Sequence, residues 1–402
     1  MKSIIMVGGG IQQVPAVKRL QAIGYTVIVS DKNHNAPAFS HADLGVCIGA
    51  TDVKSLISWV LINKVQWNIS GIFTLTNYAV SVSLIANACG LPSIPVDVSV
   101  NCDNKLIMKR LFQKFNFKSA PYFEVSSIAE AEIAYKTING PAYLKVVDGF
   151  GGKGVVKIRH IDNIKSVFSD LLSFSCYPTL ILEKEIIGDY IDVQGVYHQN
   201  IFHCAGEADS FFTTDDDDYT QYNPVENFNI CPSQLTPEIV KSTYQLLDSI
   251  SQSLGMTFGP VGGDFVVNED GIHVIEVGPR LHGPNGTLQI FPNAMAIKPL
   301  EYMAQVICGD DPNSKFLDAS SDSVSLCMVI TSPKKTIKTA EFIKDPLELP
   351  GIFASHTYKN PSDTIEQQNN TLSGLASLFV NGKDLSEAKL RLDTASRLFN
   401  IQ

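Results

Sequence analysis

The chain contains two carboxylates, Asp264 and Glu276, whose spacing fits a metal site. Each lies in an apolar run, and a turn-forming stretch separates the two runs. A hairpin with a three-residue loop over 269–271 pairs Asn268 with Ile272, and it therefore pairs Asp264 with Glu276. Two carboxylates opposite each other on one face of a sheet repel, so this arrangement favours a cation between them. Two carboxylates that act together with substrate phosphates form a typical Mg²⁺ site.

The residues around these carboxylates argue against an ordinary exposed hairpin. Large apolar side chains surround both acids: Phe265, Val267, Val274, Ile275 and Val277. Arg280 lies just beyond the second run, where its guanidinium can meet an anion. His282, close behind, is a candidate general base, and a packing or substrate-orienting role is an equal alternative.

A glycine-rich segment, LKVVDGFGGKGVV (144–156), joins two short β-branched runs and contains Lys145 and Lys153. The simplest interpretation is a surface β-turn. The alternative is a flap over phosphates, because backbone N–H groups of such a loop can hold phosphate oxygens and lysines neutralise a polyphosphate. Together with the hairpin carboxylates, the segment predicts an ATP site. It is not a P-loop, since GxxxxGK[ST] does not occur in the sequence.

The composition narrows the kinds of partner. The chain has 402 residues, 45% hydrophobic and 18% charged, which is the profile of a folded protein of two or three domains. Its net charge of −10 argues against a nucleic-acid partner. No apolar run reaches the roughly 18–20 residues that cross a membrane, so no membrane partner is expected. The eight cysteines are scattered without a CxxC pair, which indicates reduced thiols and a cytoplasmic protein.

Residues 1–95 alternate short apolar strands with amphipathic helices, which predicts a parallel, doubly wound sheet. The first strand enters the glycine turn GGGIQQ (8–13), and the second strand ends at Asp31. These features leave open an NAD(P)-binding oxidoreductase. The fingerprint is broken, however, because Gln13 stands where close helix–strand packing requires a small residue. A phosphate- or substrate-facing turn in a Rossmann-like domain is the preferred interpretation.

Further along the chain, the pattern predicts a basic helix over 103–116 with Asp103 as its N-cap. The polar stretch 213–227, with four consecutive aspartates, is interpreted as a solvated loop, and a lid is the alternative. From about residue 320 the chain reads as a small α+β segment that ends in an amphipathic helix over 386–398.

In chain order, these motifs resemble the ATP-grasp superfamily, and most closely its carboxylate–amine ligases, the L-amino acid ligase-like group. Related purine-biosynthesis and biotin carboxylase-type enzymes share the pattern. The resemblance covers nearly the whole chain. The motifs that carry it are VGGG, DNKLIMKRLF, PAYLKVVDGFGGKGV, LEKEIIG, LGMTFGPVGGDFVV, IEVGPR and NGKDLSEAKLRL.

The resemblance implies an α/β and α+β fold in three parts. A Rossmann-like pre-ATP-grasp domain is expected over 1–100. A two-part ATP-grasp nucleotide-binding and catalytic core is expected over 101–315, with a lid at about 118–190. A small C-terminal α+β domain is expected over 316–402.

The resemblance also implies the roles of site residues. Lys105 and Lys145 match the phosphate lysines, and Asp264 and Glu276 match the metal ligands. The other residues expected to bind ATP lie in the flap, in the adenine hinge and just beyond it: Gly151, Gly152, Lys153, Gly154, Glu183, Lys184, Glu185, Ile186 and Asp192. The residues expected to take part in catalysis are Arg280, Gly283 through a nearby backbone N–H, and His282.

Three positions depart from the family pattern. Tyr190 stands where the family often has a ribose-binding glutamate. Gly278 stands where it often has an asparagine metal ligand, and Gly262 where ligase relatives commonly carry histidine. We therefore expect a roomier pocket at this end, with water or Asn285 completing the shell of a second metal ion.

The implied activity is ATP-dependent formation of an amide or peptide bond through an acyl phosphate, with release of ADP and phosphate. The expected cofactors are ATP and Mg²⁺, with Mn²⁺ as a substitute, and the expected partners are a small carboxylate and an amine, with amino acids among the candidates. A homodimer is an oligomeric state that the resemblance allows. The first alternative is an ATP-grasp carboxylase or purine-pathway ligase, the second is the NAD(P)-binding oxidoreductase, and the third is a nucleotide-binding regulator without catalysis.

Overall fold

The computed structural model describes residues 1–149, 151–212, 226–331, 340–358 and 374–401. The predicted loop at 213–227 lies outside these ranges except for its last two residues, which belong to a strand. Within the described ranges, no helix has both the length and the hydropathy needed to span a membrane.

The N-terminal part is a parallel sheet with helices on both faces. Its described strands follow the order β3–β2–β1–β4. Its elements are β1 (Ser3–Val7), α1 (Val14–Ala22), β2 (Thr26–Ser30), β3 (Leu44–Val46), α2 (Val53–Asn63), β4 (Ile69–Thr74), α3 (Ala79–Ala88) and α4 (Val96–Asp103). Alternate residues of β1 face opposite sides: Ile4 packs in a core with α1, and Ile5 packs in one with α2 and α3. The predicted doubly wound parallel sheet is confirmed.

The next part is an antiparallel sheet that carries the glycine loop, and we call it the lid. The described strands of the lid follow the order β5–β8–β6–β7, and α6 and α7 pack on them. The elements of this part are α5 (Lys105–Lys114), β5 (Tyr122–Val125), α6 (Ile128–Ile138), β6 (Ala142–Val146), β7 (Val155–Ile158), α7 (Asn163–Ser173) and β8 (Leu180–Lys184).

A large antiparallel sheet dominates the rest of the described chain, and β15 and β18 form a separate two-stranded sheet. Over the described ranges its strands follow the order β13–β12–β9–β10–β11–β14–β17–β16. The elements up to residue 307 are β9 (Asp189–His198), β10 (Ile201–Phe212), β11 (Glu226–Cys231), α8 (Pro237–Ser253), β12 (Gly259–Asn268), β13 (Gly271–Gly278), a π-helix (Asn285–Ile290), α9 (Phe291–Met295) and α10 (Pro299–Ile307). The later elements are β14 (Val324–Ile330), β15 (Ala340–Phe342), β16 (Ile352–Thr357), β17 (Ala376–Gly382), α11 (Leu385–Ser396) and β18 (Phe399–Ile401).

The C-terminal strands β14, β16 and β17 extend the same sheet that carries the two hairpin carboxylates. The sheet therefore runs across the boundary expected at residue 316, and the three domain limits stay predictions. Short 3₁₀ helices complete the described chain: Ile11–Gln13, Pro37–Ser40, Ser314–Phe316 and Pro346–Glu348.

The N-cap predicted for the basic helix is wrong by one residue. Asp103 is the last residue of α4, and Asn104 caps α5 by accepting a hydrogen bond from the Ile107 N–H at 2.9 Å. Asn104 has the extended backbone that an N-cap requires, with φ −104° and ψ 106°, between the two helices.

The register of the carboxylate hairpin is partly as predicted. Asp264 pairs with Glu276, which is confirmed. The predicted pairing of Asn268 with Ile272 is wrong, because Asn268 pairs with Gly271 around a shorter loop. An irregularity between Asp264 and Phe265 shifts the register by one residue, and this bulge restores the carboxylate pair.

Candidate active site

Three carboxylates form a row across neighbouring strands of the large sheet. Asp264 on β12 pairs with Glu276 on β13 and with Asp192 on β9. Cross-strand partners point to the same face of a sheet, so the three acids share one side. Burial, together with the Glu276 carboxylate, raises the pKa of Asp264 to about 6. Burial, then the charge of Asp264, raises the pKa of Asp192 well above its ordinary value.

A fourth acid, Glu226, lies at the start of β11 beside this row. Ser210 of β10 donates hydrogen bonds to Asp192 and, at 3.1 Å, to Glu226. Asn229 donates to Glu226 and, at 3.0 Å, to the Ser210 hydroxyl. Burial raises the pKa of Glu226, and Asp264 adds to the rise. The site therefore concentrates buried carboxyl groups, whose ionised forms a bound cation would stabilise.

Lys105, the first residue of α5, neutralises the charge at the Glu276 end of the row of carboxylates. Its Nζ lies 2.8 Å from Glu276 Oε2 and donates to the Gly149 carbonyl at 2.9 Å. Burial would raise the pKa of Glu276, but Lys105 outweighs burial and holds that pKa below its usual value. One lysine thus joins the hairpin to the glycine loop of the lid.

A second lysine–carboxylate cluster lies deeper in the cleft between α5 and the lid. Glu183 on β8 is 2% exposed and pairs with Lys109 and, at 2.7 Å, with Lys145. Burial opposes ionisation of Glu183, yet the two lysines hold its pKa at about 2. Each carboxylate oxygen of Glu183 thus binds one lysine, and its expected role in binding ATP stays a prediction.

The hinge after Glu183 uses part of its backbone to hold the lid together. The N–H of Lys184 donates to the Pro121 carbonyl and that of Glu185 to the Pro141 carbonyl. The Glu185 carboxylate binds Lys157 at 2.7 Å. The N–H groups of Lys184 and Glu185 are therefore occupied. The hinge carbonyl groups and the backbone of Ile186 are the groups that can contact an adenine base.

The glycine loop between β6 and β7 requires glycine for geometric reasons. Gly151, Gly152 and Gly154 have φ of 59°, 75° and 78°. A Cβ on Gly154 would also lie 2.4 Å from a Val146 methyl group. Lys153 places its Nζ 5.6 Å from the centre of the Phe174 ring. Phe150, at the centre of the motif, lies outside the described residues.

The segment after β13 brings Arg280 and His282 to the cleft that holds Asp264 and Glu276, and Gly283 follows directly in the chain. His282 Nδ1 lies 3.4 Å from Asp264 Oδ1. The His282 backbone is fixed by buried polar groups, because its N–H donates to Gln194 Oε1 at 2.8 Å and its carbonyl accepts from the Thr287 hydroxyl at 2.6 Å. Burial and the Arg280 charge lower the pKa of His282 to about 4, so the imidazole is neutral near pH 7.

The expectation of a roomier pocket holds at only one of the two glycines. A Cβ on Gly262 would lie 2.2 Å from His282 Cδ2, so the imidazole already fills that space. A Cβ on Gly278 would meet its nearest neighbour, Arg280 Cγ, at 4.0 Å. The physical reason is that the 280–287 segment folds back over β12, which the local sequence pattern does not reveal.

One open cleft collects most of these groups. Its lining includes Lys105, Gly149, Asp264, Glu276, Arg280 and His282. Lys145 and Glu183 form the buried cluster beside it. Pattern reasoning missed Lys109, Gln194 and Glu226. The spacing of four residues between Lys105 and Lys109 on one helix is a signal that could have found Lys109.

The glycine turn of the N-terminal sheet is held by its own acid. The Asp31 carboxylate accepts hydrogen bonds from the N–H groups of Gly9 and Asn33, both at 2.8 Å. Asp31 therefore stabilises the turn, and this task weakens the ribose-binding interpretation behind an NAD(P) site.

Comparisons with known proteins bear on the family and the fold. Residues 102–284 match the model of the ATP-grasp domain family. The chain is 22% identical over 293 residues to the formate-dependent phosphoribosylglycinamide formyltransferase of Prochlorococcus marinus (strain MIT 9515), covering 70% of each chain. It is also similar to the crystal structure of an L-amino acid ligase from Bacillus licheniformis, with a TM-score of 0.82, 16% identity and coverage of 100% and 98%.

A third similar structure is the biotin carboxylase domain of the Hydrogenobacter thermophilus 2-oxoglutarate carboxylase, solved with ADP, its magnesium salt and bicarbonate. The TM-score is 0.75 at 16% identity, with coverage of 100% and 90%. At these identities the two structures establish a shared fold. Residues 102–284 therefore carry an ATP-grasp domain, and the chain has the ATP-grasp fold, as its motifs predict.

Proposed function

We propose that the protein is an ATP-dependent ligase that joins a carboxylate to an amine through an acyl phosphate. The observation that carries the proposal is the single cleft in which Asp264 and Glu276 face Lys105 and Arg280. Phosphoryl transfer to a carboxylate needs this combination, because charge must be neutralised on the nucleotide and on the acceptor at the same place.

In the first step, a carboxylate oxygen of the substrate attacks the γ-phosphorus of ATP. A new oxygen–phosphorus bond forms, the bond to the β–γ bridging oxygen breaks, and ADP leaves. Lys105 and Lys145 neutralise the phosphate oxygens, and Glu183 fixes the direction of Lys145. The glycine loop, with Gly151, Gly152, Lys153 and Gly154, supplies backbone N–H groups and excludes water from the acyl phosphate.

The adenine base is expected at the hinge. The carbonyl groups of Lys184 and Glu185 and the backbone of Ile186 are the groups that we assign to it. Tyr190, whose ring lies 4.8 Å from that of Phe212, stands on the same strand as Asp192 and is the ribose-side neighbour.

The paired carboxylates on β12 and β13 fit a hard divalent cation. Asp264 and Glu276 would hold Mg²⁺, since they are paired carboxylates in a buried, negatively charged site. Such an ion supplies neutralisation of the polyphosphate charge during in-line transfer.

In the second step, the amine nitrogen attacks the acyl carbon. The carbon–nitrogen bond forms, the bond to the phosphate oxygen breaks, phosphate leaves, and the nitrogen loses a proton. Arg280 and a backbone N–H near Gly283 stabilise the oxyanion that forms on the acyl oxygen. His282 is held at this point by Gln194 and Thr287, and its role as a proton acceptor stays a hypothesis.

A second candidate function is a ligase or carboxylase that activates a smaller carboxylate. The similarity to a formate-dependent formyltransferase and to a carboxylase domain with bound bicarbonate favours it. The imidazole over Gly262 also reduces the space next to Asp264. The NAD(P)-binding oxidoreductase has less support, because Asp31 is engaged by the glycine turn.

The experiment is a measurement of ADP release from Mg-ATP against amino acids, formate, bicarbonate and amines, singly and in pairs. We expect release that requires both a carboxylate and an amine. Release with bicarbonate alone identifies the carboxylase, and release with formate and a phosphoribosyl amine identifies a formyltransferase. Absence of release with every pair contradicts the proposal.

A further inference from the structure

The side of Asp264 that faces away from Glu276 carries a second set of possible metal ligands. Ligand atoms of Asp192, Asp264 and His282 all lie within 4.8 Å of one another. Asp192 and Glu276 are on opposite sides of Asp264, because β9 and β13 flank β12. Neighbouring strands lie about 4.8 Å apart, so Asp264 can offer one oxygen to each side.

The distance between His282 Nδ1 and Asp264 Oδ1 fits two ligands of one metal ion better than a direct hydrogen bond. An octahedral ion with ligands at about 2.1 Å places adjacent ligand atoms about 3 Å apart. His282 Nδ1 and Asp264 Oδ1 are 3.4 Å apart, which is long for a hydrogen bond. Nδ1 is the nitrogen that this site would use, because Nε2 on the other side of the ring faces Gly262.

The backbone of His282 is held in this position by buried polar side chains. Gln194 and Thr287 are both fully buried, and Thr287 donates to Gln194 Oε1 at 3.2 Å as well as to the His282 carbonyl. On the opposite side, only a glycine at position 262 leaves room for the ring. A histidine fixed from both sides next to two carboxylates is a preorganised ligand.

We propose that Asp192, Asp264 and His282 form a second divalent-cation site with one nitrogen ligand, beside the Asp264–Glu276 site. The site replaces the contribution expected from water or Asn285 and gives Asp192 a ligand role. Imidazole nitrogen suits transition-metal dications better than it suits Mg²⁺. The site therefore prefers Mn²⁺ to Mg²⁺, while the Asp264–Glu276 site accepts either ion. The inference deepens the proposed function and rests on it for the nucleotide that completes both shells.

The test is electron paramagnetic resonance of bound Mn²⁺, with the full-length protein labelled with ¹⁵N-histidine. Spectra are recorded with Mn²⁺ alone and with Mn²⁺ and ADP. We expect two Mn²⁺ ions per chain and electron spin echo modulation from a histidine nitrogen. In His282→Ala, the histidine modulation disappears and the second Mn²⁺ binds at least tenfold more weakly. When excess Mg²⁺ is added, it first displaces the Mn²⁺ ion that shows no histidine modulation.

The matched control is His198→Ala, a substitution at the far end of the strand that carries Asp192. It retains both ions and the histidine modulation. His282→Gln is a second variant, which keeps a polar side chain and also loses the modulation. The inference is overturned if wild-type protein shows no histidine modulation in either condition, or if the modulation persists in both His282 variants. The outcome is independent of ADP release, so failure of the ligase activity with every substrate pair does not affect it.

Discussion

At the scale of single residues, the acidic and basic side chains of the candidate site depend on one another for charge balance. Asp192, Asp264 and Glu276 are neighbours on three strands, and the burial of each would favour its neutral form. Lys105 neutralises the Glu276 end and Arg280 lies at the opening of the cleft. These acidic and basic side chains can therefore form ion pairs with the cations and phosphates of a bound nucleotide.

Arg280→Gln tests the residue assigned to the oxyanion. We expect kcat for substrate-dependent ADP release to fall by about 10²–10³-fold, which corresponds to the loss of about 3–4 kcal/mol of transition-state stabilisation. The affinity for ADP, measured by calorimetry, stays the same because Arg280 is not assigned to the nucleotide base or hinge. Arg110→Gln is the control, since Arg110 is exposed and pairs with Glu124 on the outside of the lid. An unchanged kcat in Arg280→Gln contradicts this assignment.

Glu183→Gln tests the buried lysine cluster. The substitution leaves Lys109 buried without a negative partner, so we expect a loss of about 3–5 kcal/mol in the free energy of unfolding at pH 7. The pKa of Glu183 is lowered to about 2 in the folded state. Its contribution to stability is therefore complete above the ordinary pKa near 4.5 and is lost as the pH falls towards 2.

The difference in unfolding free energy between wild type and Glu183→Gln should accordingly shrink between pH 5 and pH 3, as measured by urea unfolding. Glu185→Gln is the control, because Glu185 forms a more exposed pair with Lys157. A difference that stays constant with pH argues that Glu183 is not ionised in this cluster.

At the scale of elements, hairpin, lid and helix α5 each position one part of the site. The hairpin β12–β13 carries two acids, and its bulge sets them opposite each other. Helix α5 begins at Lys105 because Asn104 caps it, and its first turn points Lys105 at both the hairpin and the lid. The lid sheet carries Lys145 and the glycine loop on adjacent stretches of chain.

Gly154→Ala tests the loop. The residue has a φ of 78°, and the added methyl group would lie 2.4 Å from Val146. Strain of this kind costs about 1–3 kcal/mol, so we expect a weaker affinity for ATP and a lower kcat/KM for ADP release. Gly140→Ala is the control on the same lid, since Gly140 has no atom within 4 Å of the added Cβ. Equal kinetics of the two variants would show that the loop does not close over the nucleotide.

At the scale of the whole molecule, a buried ion pair joins helix α1 of the N-terminal part to helix α10. Arg19 on α1 makes two hydrogen bonds of 2.7 and 2.8 Å with Glu301 on α10. It also donates to the Leu288 carbonyl in the π-helix that follows Arg280. The position of the 280–290 segment thus depends on a residue more than 260 positions away in sequence.

Arg19→Met tests this link between the two parts. Glu301 is 4% exposed, and removal of its partner should reduce the free energy of unfolding by about 3–5 kcal/mol in urea titrations. Arg397→Met, at an exposed pair with Asp393, should change it by less than about 1 kcal/mol. The double variant Arg19→Met, Glu301→Leu should recover part of the loss. If Arg19→Met and Arg397→Met lower the free energy of unfolding by similar amounts, the Arg19–Glu301 pair does not act as a buried link.

The local parts of this arrangement could be read from the sequence, and the long-range parts could not. Short apolar strands alternating with amphipathic helices predicted the parallel sheet, and the pairing of Asp264 with Glu276 followed from hairpin geometry. The packing of His282 over Gly262 depends on how a loop folds back over a strand. The same limit applies to Gln194, whose contact with His282 spans 88 positions. Pattern carries no information about such contacts.

The most direct test of the central claim is isotope transfer from the carboxylate substrate to phosphate. The carboxylate identified by the ADP-release measurement is labelled with ¹⁸O on both oxygens, and the released phosphate is analysed by ³¹P NMR. An acyl phosphate requires that each phosphate carries one ¹⁸O atom from the carboxylate, and we predict this result for wild type. Phosphate without ¹⁸O, released together with the amide product, would contradict the acyl-phosphate mechanism.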